Sequence, residues 1–425
     1  MTPPNPSRFL FATAHLGGNV SPVMPIVRQL VARGHDVRVI SDAISRPEVE
    51  ATGARFLGWT RAPNRSISSR DTDLPDWSVS DEQGIGMAAK FLGESALAYA
   101  EDVMAELDRA PADLVVCFDM LLGPMLGCEK RRQPLALLGT MISFFPLPGI
   151  PPFGAGLAPA RNAAERAREA QRRREIEATF AVGLPPLNAA RAQLGLAPLE
   201  RLADQWDAAA VHWLGTARAF DFPGAVLRPS KRYAGPLLGD PVWAAPWRSP
   251  WPPEDSRPLI VVGFSTSFQN HAGVLQRVID AAAGLPVRAL VTLGGAIEPG
   301  DVRAAPNAVV VASAPHTAVM REAALVVTHG GHGTVMAALT NRLPMLLIPH
   351  GRDQADNAVR VTERGAGLAL PRAASTAEIR KALERLLGEP SFREAAQRLG
   401  DSVGAEARAS TLIEDLEALS AAPPS

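Results

Sequence analysis

Short, almost wholly apolar runs recur along the chain in two groups, each in a β-then-α rhythm. The first run is Arg8-Phe-Leu-Phe-Ala-Thr-Ala14. A turn, His15-Leu-Gly-Gly-Asn-Val-Ser21, leads into a helix beginning near Pro22, a residue suited to a first helical turn. Val23, Ile26, Val27, Leu30 and Val31 recur at helical spacing, Gly34 ends the helix, and Val37–Ile40 is a second strand. Such a βαβ opening implies a parallel sheet with right-handed crossovers. Leu114–Phe118 and Leu135–Leu138 read as further buried strands with a helix between them.

From Pro146 to Pro159 the chain turns Pro- and Gly-rich, and a helix of alternating Arg and Glu follows over about 161–180, which reads as a solvated face. The stretch 223–258 is dense in Pro and carries Trp243, Trp247 and Trp251, the composition of a partly docked linker. The rhythm then restarts. Leu259–Val262, Arg288–Thr292, Ala308–Val311, Leu325–Thr328 and Met345–Ile348 are five apolar strands, and amphipathic helices over 376–387 and 391–419 finish the chain. The expected organisation is α/β: two facing, doubly wound, Rossmann-like units at 1–222 and 259–400, with the linker 223–258 between them. The tail 401–425 is expected to be a helix packing back on the first unit. The open ends of both sheets would line a cleft.

Composition narrows the function classes. The 425 residues carry 43 basic and 44 acidic side chains, a net charge of −1. That balance argues against gripping nucleic acid or an anionic membrane by bulk charge. Only Lys90, Lys130, Lys231 and Lys381 are lysines, an arginine skew that fits coding bias better than function. No run of about 18 apolar residues suggests a membrane span, and the polar start has no signal-peptide core. Cys117 and Cys128 fit neither a disulfide framework nor a zinc motif. A cytoplasmic protein is expected; a homodimer is compatible with the chain.

The strongest local signal is Thr328-His-Gly-Gly-His-Gly-Thr-Val-Met-Ala-Ala-Leu339, which follows a strand and opens a helix. Its three glycines allow close backbone approach, and helix-start amides favour a phosphate or diphosphate. His329, His332 and Thr334 add donors. The His-x-x-His pair could suggest metal, but no third ligand sits at suitable spacing, and no metal is expected. Past the next strand, Asp353 and Gln354 suit hydrogen bonding to sugar hydroxyls.

Ala314-Pro-His316, His329–Thr334, Leu343-Pro344, Pro349 and Asp353-Gln354 with Asn357 resemble the donor block of GT-B glycosyltransferases, most closely the family 1 natural-product branch that includes bacterial antibiotic enzymes. Tyr233-Ala-Gly-Pro236 and Gly263-Phe-Ser-Thr266 fit the same family, and the resemblance spans roughly 8–400. It implies a GT-B fold with an N-terminal acceptor domain and a C-terminal donor domain. It assigns His329, Gly331, Gly333, Thr334 and Thr266 to the donor diphosphate, Ser313 and Ala314 to the nucleobase, and Asp353 and Gln354 to the transferred sugar. No cofactor or metal is implied; a nucleotide sugar is the co-substrate and a small aglycone the partner.

Departures from the family pattern carry information. Uridine-nucleotide enzymes commonly place a stacking tryptophan where Ser313 stands, and a ribose-binding glutamate where Ala337 stands. A carboxylate for a 2′-hydroxyl would be wasted on deoxyribose, so Ala337 tilts the donor toward a dTDP-sugar. The family's general base, a histidine after the first strand, is replaced by Asn19, which takes that catalytic position although its amide accepts no proton usefully. Asp119 matches the residue that usually orients the base. It could itself act as base, or orient His15 at the strand tip; proximity alone is a third option. Phe144, Phe145 and Phe153 are candidate acceptor-lining residues.

The implied reaction is inverting transfer of a sugar, expected to be a deoxysugar, to a small apolar natural product such as a polyketide or aromatic aglycone. A nucleotide-sugar epimerase of the same fold, and a non-catalytic nucleotide-sugar-binding or auxiliary homologue, remain as alternatives. A nicotinamide dehydrogenase is disfavoured: Asp42 closes the second strand, but the turn lacks Gly-x-Gly-x-x-Gly. Asp71-Thr-Asp73 imitates a metal-binding Asp-x-Asp and is expected to be solvated surface.

Overall fold

A computed structural model describes residues 6–239, 247–295 and 297–422. Trp243 of the expected linker, and the expected segments 1–5 and 423–425, lie outside the described residues. Two all-parallel sheets carry the fold. The first comprises β1 (Arg8–Ala12), β2 (Asp36–Ser41), β3 (Arg55–Gly58), β4 (Leu114–Phe118), β5 (Leu135–Gly139), β6 (Val211–Leu214) and β7 (Lys231–Tyr233), in the order 3-2-1-4-5-6-7. The second comprises β8 (Leu259–Gly263), β9 (Arg288–Thr292), β10 (Ala308–Val311), β11 (Ala323–Thr328), β12 (Met345–Leu347) and β13 (Gly367–Ala369), in the order 10-9-8-11-12-13.

Each sheet reverses its winding once, between β1 and β4 and between β8 and β11. Phe11 lies opposite Val116, and Val327 opposite Val262, at these junctions. Crevices open beyond the strand C-termini at such switch points. The loops that follow β1, β4, β8 and β11 therefore converge on one cleft. The central strands are buried along their whole length, which is why their sequence is uniformly apolar.

Several elements differ from expectation. The first strand stops at Ala12, freeing Thr13 and Ala14 for the loop. β3, β6, β7 and β13 were not anticipated: they are three or four residues long, and β3, β7 and β13 lie at sheet edges where apolar runs are not required. β7 falls inside the expected linker, so the first sheet continues beyond residue 222. Trp247 docks by donating Nε1–H to Glu322 at 2.8 Å.

The expected 391–419 helix is two helices, Pro390–Arg408 and Leu412–Ala421. The first packs on the second unit, Gly400 lying against the Leu339 carbonyl with no room for a Cβ. Near its end, Glu406 accepts the Arg218 and Ala219 amides of the first unit at 2.6 and 2.9 Å. The second helix buries Leu412, Ile413 and Leu416 in one core with Phe9, Phe11, Val27 and Leu30. Each such side chain contributes roughly 2 kcal/mol by leaving water. Arg33 then pairs with Glu414 and Glu417 at 2.6 and 2.9 Å.

Candidate active site

A cavity of about 360 Å³ lies between the two units, lined by loops from both sheets. The turn after β11 forms one wall. Gly330 takes φ +94°, and a Cβ there would stand 2.9 Å from the Gln354 carbonyl oxygen. At Gly331 a Cβ would meet His329 Nε2 at 2.6 Å, while Gly333 faces open space. Gly331 caps the helix His332–Thr340 with no side chain, so its first-turn amides are left to the cleft. The His329 ring packs on Phe264 with centroids 6.0 Å apart, and burial pushes its imidazole well down. It is a neutral donor here, not a cation.

Thr266, from the loop after β8, lines the same wall, as do Ser313 and Ala314 and, one helix turn beyond the glycines, Ala337. Asp353 and Gln354 close this side. Asp353 Oδ2 accepts Asn357 Nδ2 at 2.8 Å, and Gln354 Oε1 accepts the His350 amide at 2.7 Å. Burial pushes the Asp353 carboxyl up and the His332 imidazole down, each opposed by the other's charge.

The opposite wall belongs to the first unit. His15 sits at the tip of β1 and lines the cavity. Its amide donates to Asp42 Oδ2 at 2.6 Å and its carbonyl accepts Arg65 Nη1 at 3.1 Å, which fixes the backbone. Among the described residues its ring has no hydrogen-bond partner. Burial pushes the His15 imidazole down, outweighing the raising effect of Asp42 and Asp73. Phe144 and Phe153 line the cavity with Ile85, Phe91 and Leu92. Phe144 meets Phe153 edge-on at 4.8 Å.

Residues 276–419 match the family described as erythromycin biosynthesis protein CIII-like, C-terminal domain. The chain is 29% identical over 429 residues to 4′-demethylrebeccamycin synthase of Lentzea aerocolonigenes, covering 97% of this chain and 99% of that one. The glycotransferase of kitacinnamycin superposes with a TM-score of 0.75 at 19% identity, covering 97% and 99% of the two chains. Glycosyltransferase VinC, solved in complex with dTDP, gives 0.69 at 17% identity, covering 97% and 99%. The chain is similar over nearly its whole length to natural-product glycosyltransferases and shares their GT-B fold.

Four sequence expectations are corrected by the glycosyltransferase's geometry. Asp119 does not line the cleft or reach His15. Its carboxylate lies over Gly139 of β5, where a Cβ would collide with it, and bonds His212 Nε2 on β6 at 2.9 Å. Lys231 Nζ stands 3.2 Å from the other nitrogen of that ring, so Asp119 belongs to a buried polar chain beneath the sheet edge. Asn19 is not a free catalytic amide: Nδ2 donates to the Ala14 carbonyl at 2.6 Å and Oδ1 accepts the Leu16 amide at 3.0 Å. It braces the loop that carries His15. Phe145 is not an acceptor wall residue, because it packs behind Phe144 against Trp206 at 3.9 Å. Asp73 is not solvated: it is 7% exposed and accepts the Phe268 amide of the second unit at 2.7 Å.

Other contacts around the cleft carried no sequence signal. Arg352, just before the Asp353-Gln354 pair, adopts φ +59° and binds Asp76 of the first unit. Asp356 accepts the amides of Gly154 and Gly156, at 2.6 and 2.8 Å, from the Pro/Gly-rich loop of the first unit. Glu48, 9% exposed, lines the cleft and accepts Ser21 Oγ at 2.6 Å. These acids lie in polar segments whose partners are distant in sequence. Among the described residues no cluster of three or more His, Cys, Asp or Glu is placed to hold a metal, and no helix is long and apolar enough to cross a membrane.

Proposed function

We propose that this glycosyltransferase is inverting and moves a sugar, in particular a deoxysugar, from a dTDP-sugar to a small apolar acceptor such as a polyketide or aromatic aglycone. The observation that carries the reading is convergence. One cavity has a helix-start diphosphate cradle, Asp353 and Gln354 on its donor side, and His15 with an aromatic wall on its acceptor side. Ala337 supports the thymidine nucleotide: it lines the cavity 5% exposed and offers no carboxylate for a 2′-hydroxyl. The fold shared with a VinC structure holding dTDP accords with that choice.

In the step, the acceptor oxygen attacks the anomeric carbon from the face opposite the diphosphate. The acceptor proton passes to the His15 imidazole, which burial keeps neutral and able to accept it. The carbon–oxygen bond to phosphate breaks, and its electron pair leaves on the diphosphate. His329, Thr334, Thr266 and the amides of the His332–Thr340 helix start meet the growing charge. Asp353 and Gln354 orient the sugar hydroxyls, and Ser313 and Ala314 border the base. Neither a metal nor a cofactor has a part in this scheme.

The test is thermal-shift titration with dTDP and UDP, followed by turnover of a dTDP-sugar with aromatic and polyketide acceptors. Preferential stabilisation by dTDP and product of inverted anomeric configuration are expected. Equal stabilisation by both nucleotides would remove the donor assignment, and binding without transfer to any acceptor would remove the catalytic one.

A further inference from the structure

His332 takes no part in the step above, although it is the first residue of the helix that presents Gly333 and Thr334. It is 5% exposed at the cavity wall. Its Nε2 lies 3.1 Å from the carbonyl oxygen of Gly215, which belongs to the acceptor domain at the end of β6. Its Nδ1 lies 3.3 Å from Asn357 Oδ1. The Asn357 amide is oriented by two donations from Nδ2, to the Gly330 carbonyl at 2.9 Å and to Asp353 Oδ2 at 2.8 Å. Only its oxygen is left to face the imidazole, so Gly215 and Asn357 both present acceptors, and the ring donates to both when doubly protonated, the state the Asp353 charge favours against burial.

The acceptor-domain end of this chain is fixed. The Gly215 amide donates to the Gly139 carbonyl at 2.8 Å, and a Cβ on Gly215 would stand 3.0 Å from Leu237. Phe220, also from the acceptor domain, holds the imidazole edge-on at 5.7 Å. At the other end, Asp353 is 8% exposed, so a rotation of its carboxylate has little solvent to relax into. An unbroken run of polar contacts thus joins a rigid acceptor-domain carbonyl to the sugar-side carboxylate.

We propose that His332 is a positioning residue, which with Asn357 ties Asp353 to the acceptor domain and holds that carboxylate in register for the donor sugar while the domains are together. The inference rests on the reading of Asp353 as a sugar ligand. It gives a role to a histidine side chain that the step above leaves unused. A ring with nitrogens on opposite edges spans two partners that a shorter side chain would not reach together.

A double-mutant cycle tests it. The quantity read is the ratio of dissociation constants for dTDP-glucose and dTDP, with UDP-glucose and UDP run in parallel, for wild type, His332→Ala, Asp353→Ala and the double variant. His332→Ala should raise the ratio about tenfold, the cost of misplacing a charge-assisted hydrogen bond, and leave dTDP affinity within about twofold. Adding it to Asp353→Ala should change the ratio no further. Additive effects, or equal weakening of both ligands by His332→Ala, would overturn the proposal. A ratio unmoved by Asp353→Ala would overturn the sugar role instead.

Amide hydrogen exchange of the ligand-free chain keeps the link testable in that event. His332→Ala should speed exchange in both 213–217 and 353–358, and His332→Gln should restore part of the protection. Loosening confined to one of the two segments would show that no bridge exists.

Discussion

The Arg352 guanidinium grips the Asp76 carboxylate across the domain boundary, Nε at 2.6 Å and Nη2 at 3.2 Å, while Nη1 reaches Ser267 Oγ at 3.1 Å. Arg352 holds left-handed backbone, φ +59°, one residue before the Asp353-Gln354 pair. A non-glycine residue in that region costs about 1 kcal/mol, and a bidentate ion pair of intermediate exposure offsets a similar amount. The contact therefore links the position of the first unit to the shape of the loop carrying Asp353 and Gln354.

Asp76→Ala should lower kcat/KM several-fold, since a partly exposed pair is worth about 1 kcal/mol. Arg352→Gly should lower it similarly yet hold the melting temperature, because glycine accepts the left-handed backbone without strain. Steady-state kinetics beside calorimetry separates the two. Unchanged kinetics in both variants would show that the latch has no role in turnover.

His329→Ala should lower kcat about 100-fold or more, if its contact tightens as the diphosphate leaves. Single-turnover rates with saturating donor give the comparison. A rate within about twofold of wild type would show that the amides and Thr334 suffice.

The pH profile should report His15. Burial lowers its pKa, so the neutral, proton-accepting ring persists to lower pH than an ordinary histidine would allow. The acid limb of kcat/KM should fall below the usual histidine value of 6.5. His15→Gln should remove that limb along with most of the activity. A limb that survives the substitution would assign the proton elsewhere.

Stability should fall on acidification for a separate reason. His271 and His350 are held neutral, pushed down to about 3 and about 4 mainly by burial. The unfolded chain binds their protons near pH 6.5 and the folded chain does not. Their contribution is therefore complete above that value and is lost as pH falls toward the folded pKa values. Between pH 7 and 5 each is worth roughly 2 kcal/mol. Asp356 works the other way: pushed up to about 6 by burial, its contribution grows as pH drops from about 6 toward the ordinary carboxylate range. His271 has no hydrogen-bond partner on either ring nitrogen among the described residues, and its ring stacks on Phe264 at 5.7 Å. His271→Phe should keep that stack, raise the melting temperature and shrink the acid loss; calorimetry at pH 7 and pH 5 measures both. An unaltered pH slope would show that His271 titrates normally.

These effects mark where the sequence was and was not informative. Leu114–Phe118 and Arg288–Thr292 could be read residue for residue because an interior parallel strand must be apolar on both faces. His329–Thr334 was legible because glycine and helix-start chemistry are local. Asp119 was misread because its fate depends on Gly139 and His212, on neighbouring strands distant in sequence. Asp73, Asp76 and Arg352 acquire meaning only when the two domains meet, and no periodicity encodes that meeting.

Donor choice gives the most direct test of a single side chain. Ala337 lines the cavity on the His332–Thr340 helix, one turn past Thr334. A carboxylate there would accept from ribose hydroxyls, and a hydrogen bond to a charged group is worth about 1.5–3 kcal/mol. Against thymidine nucleotides the same carboxylate loses the 2′-hydroxyl partner and must be desolvated with less return. Ala337→Glu should therefore shift relative affinity from dTDP toward UDP by about tenfold or more. Calorimetric titration of both nucleotides against both proteins measures the shift. Equal gains for the two would place the new carboxylate on the 3′-hydroxyl they share, and Ala337 would no longer account for donor preference.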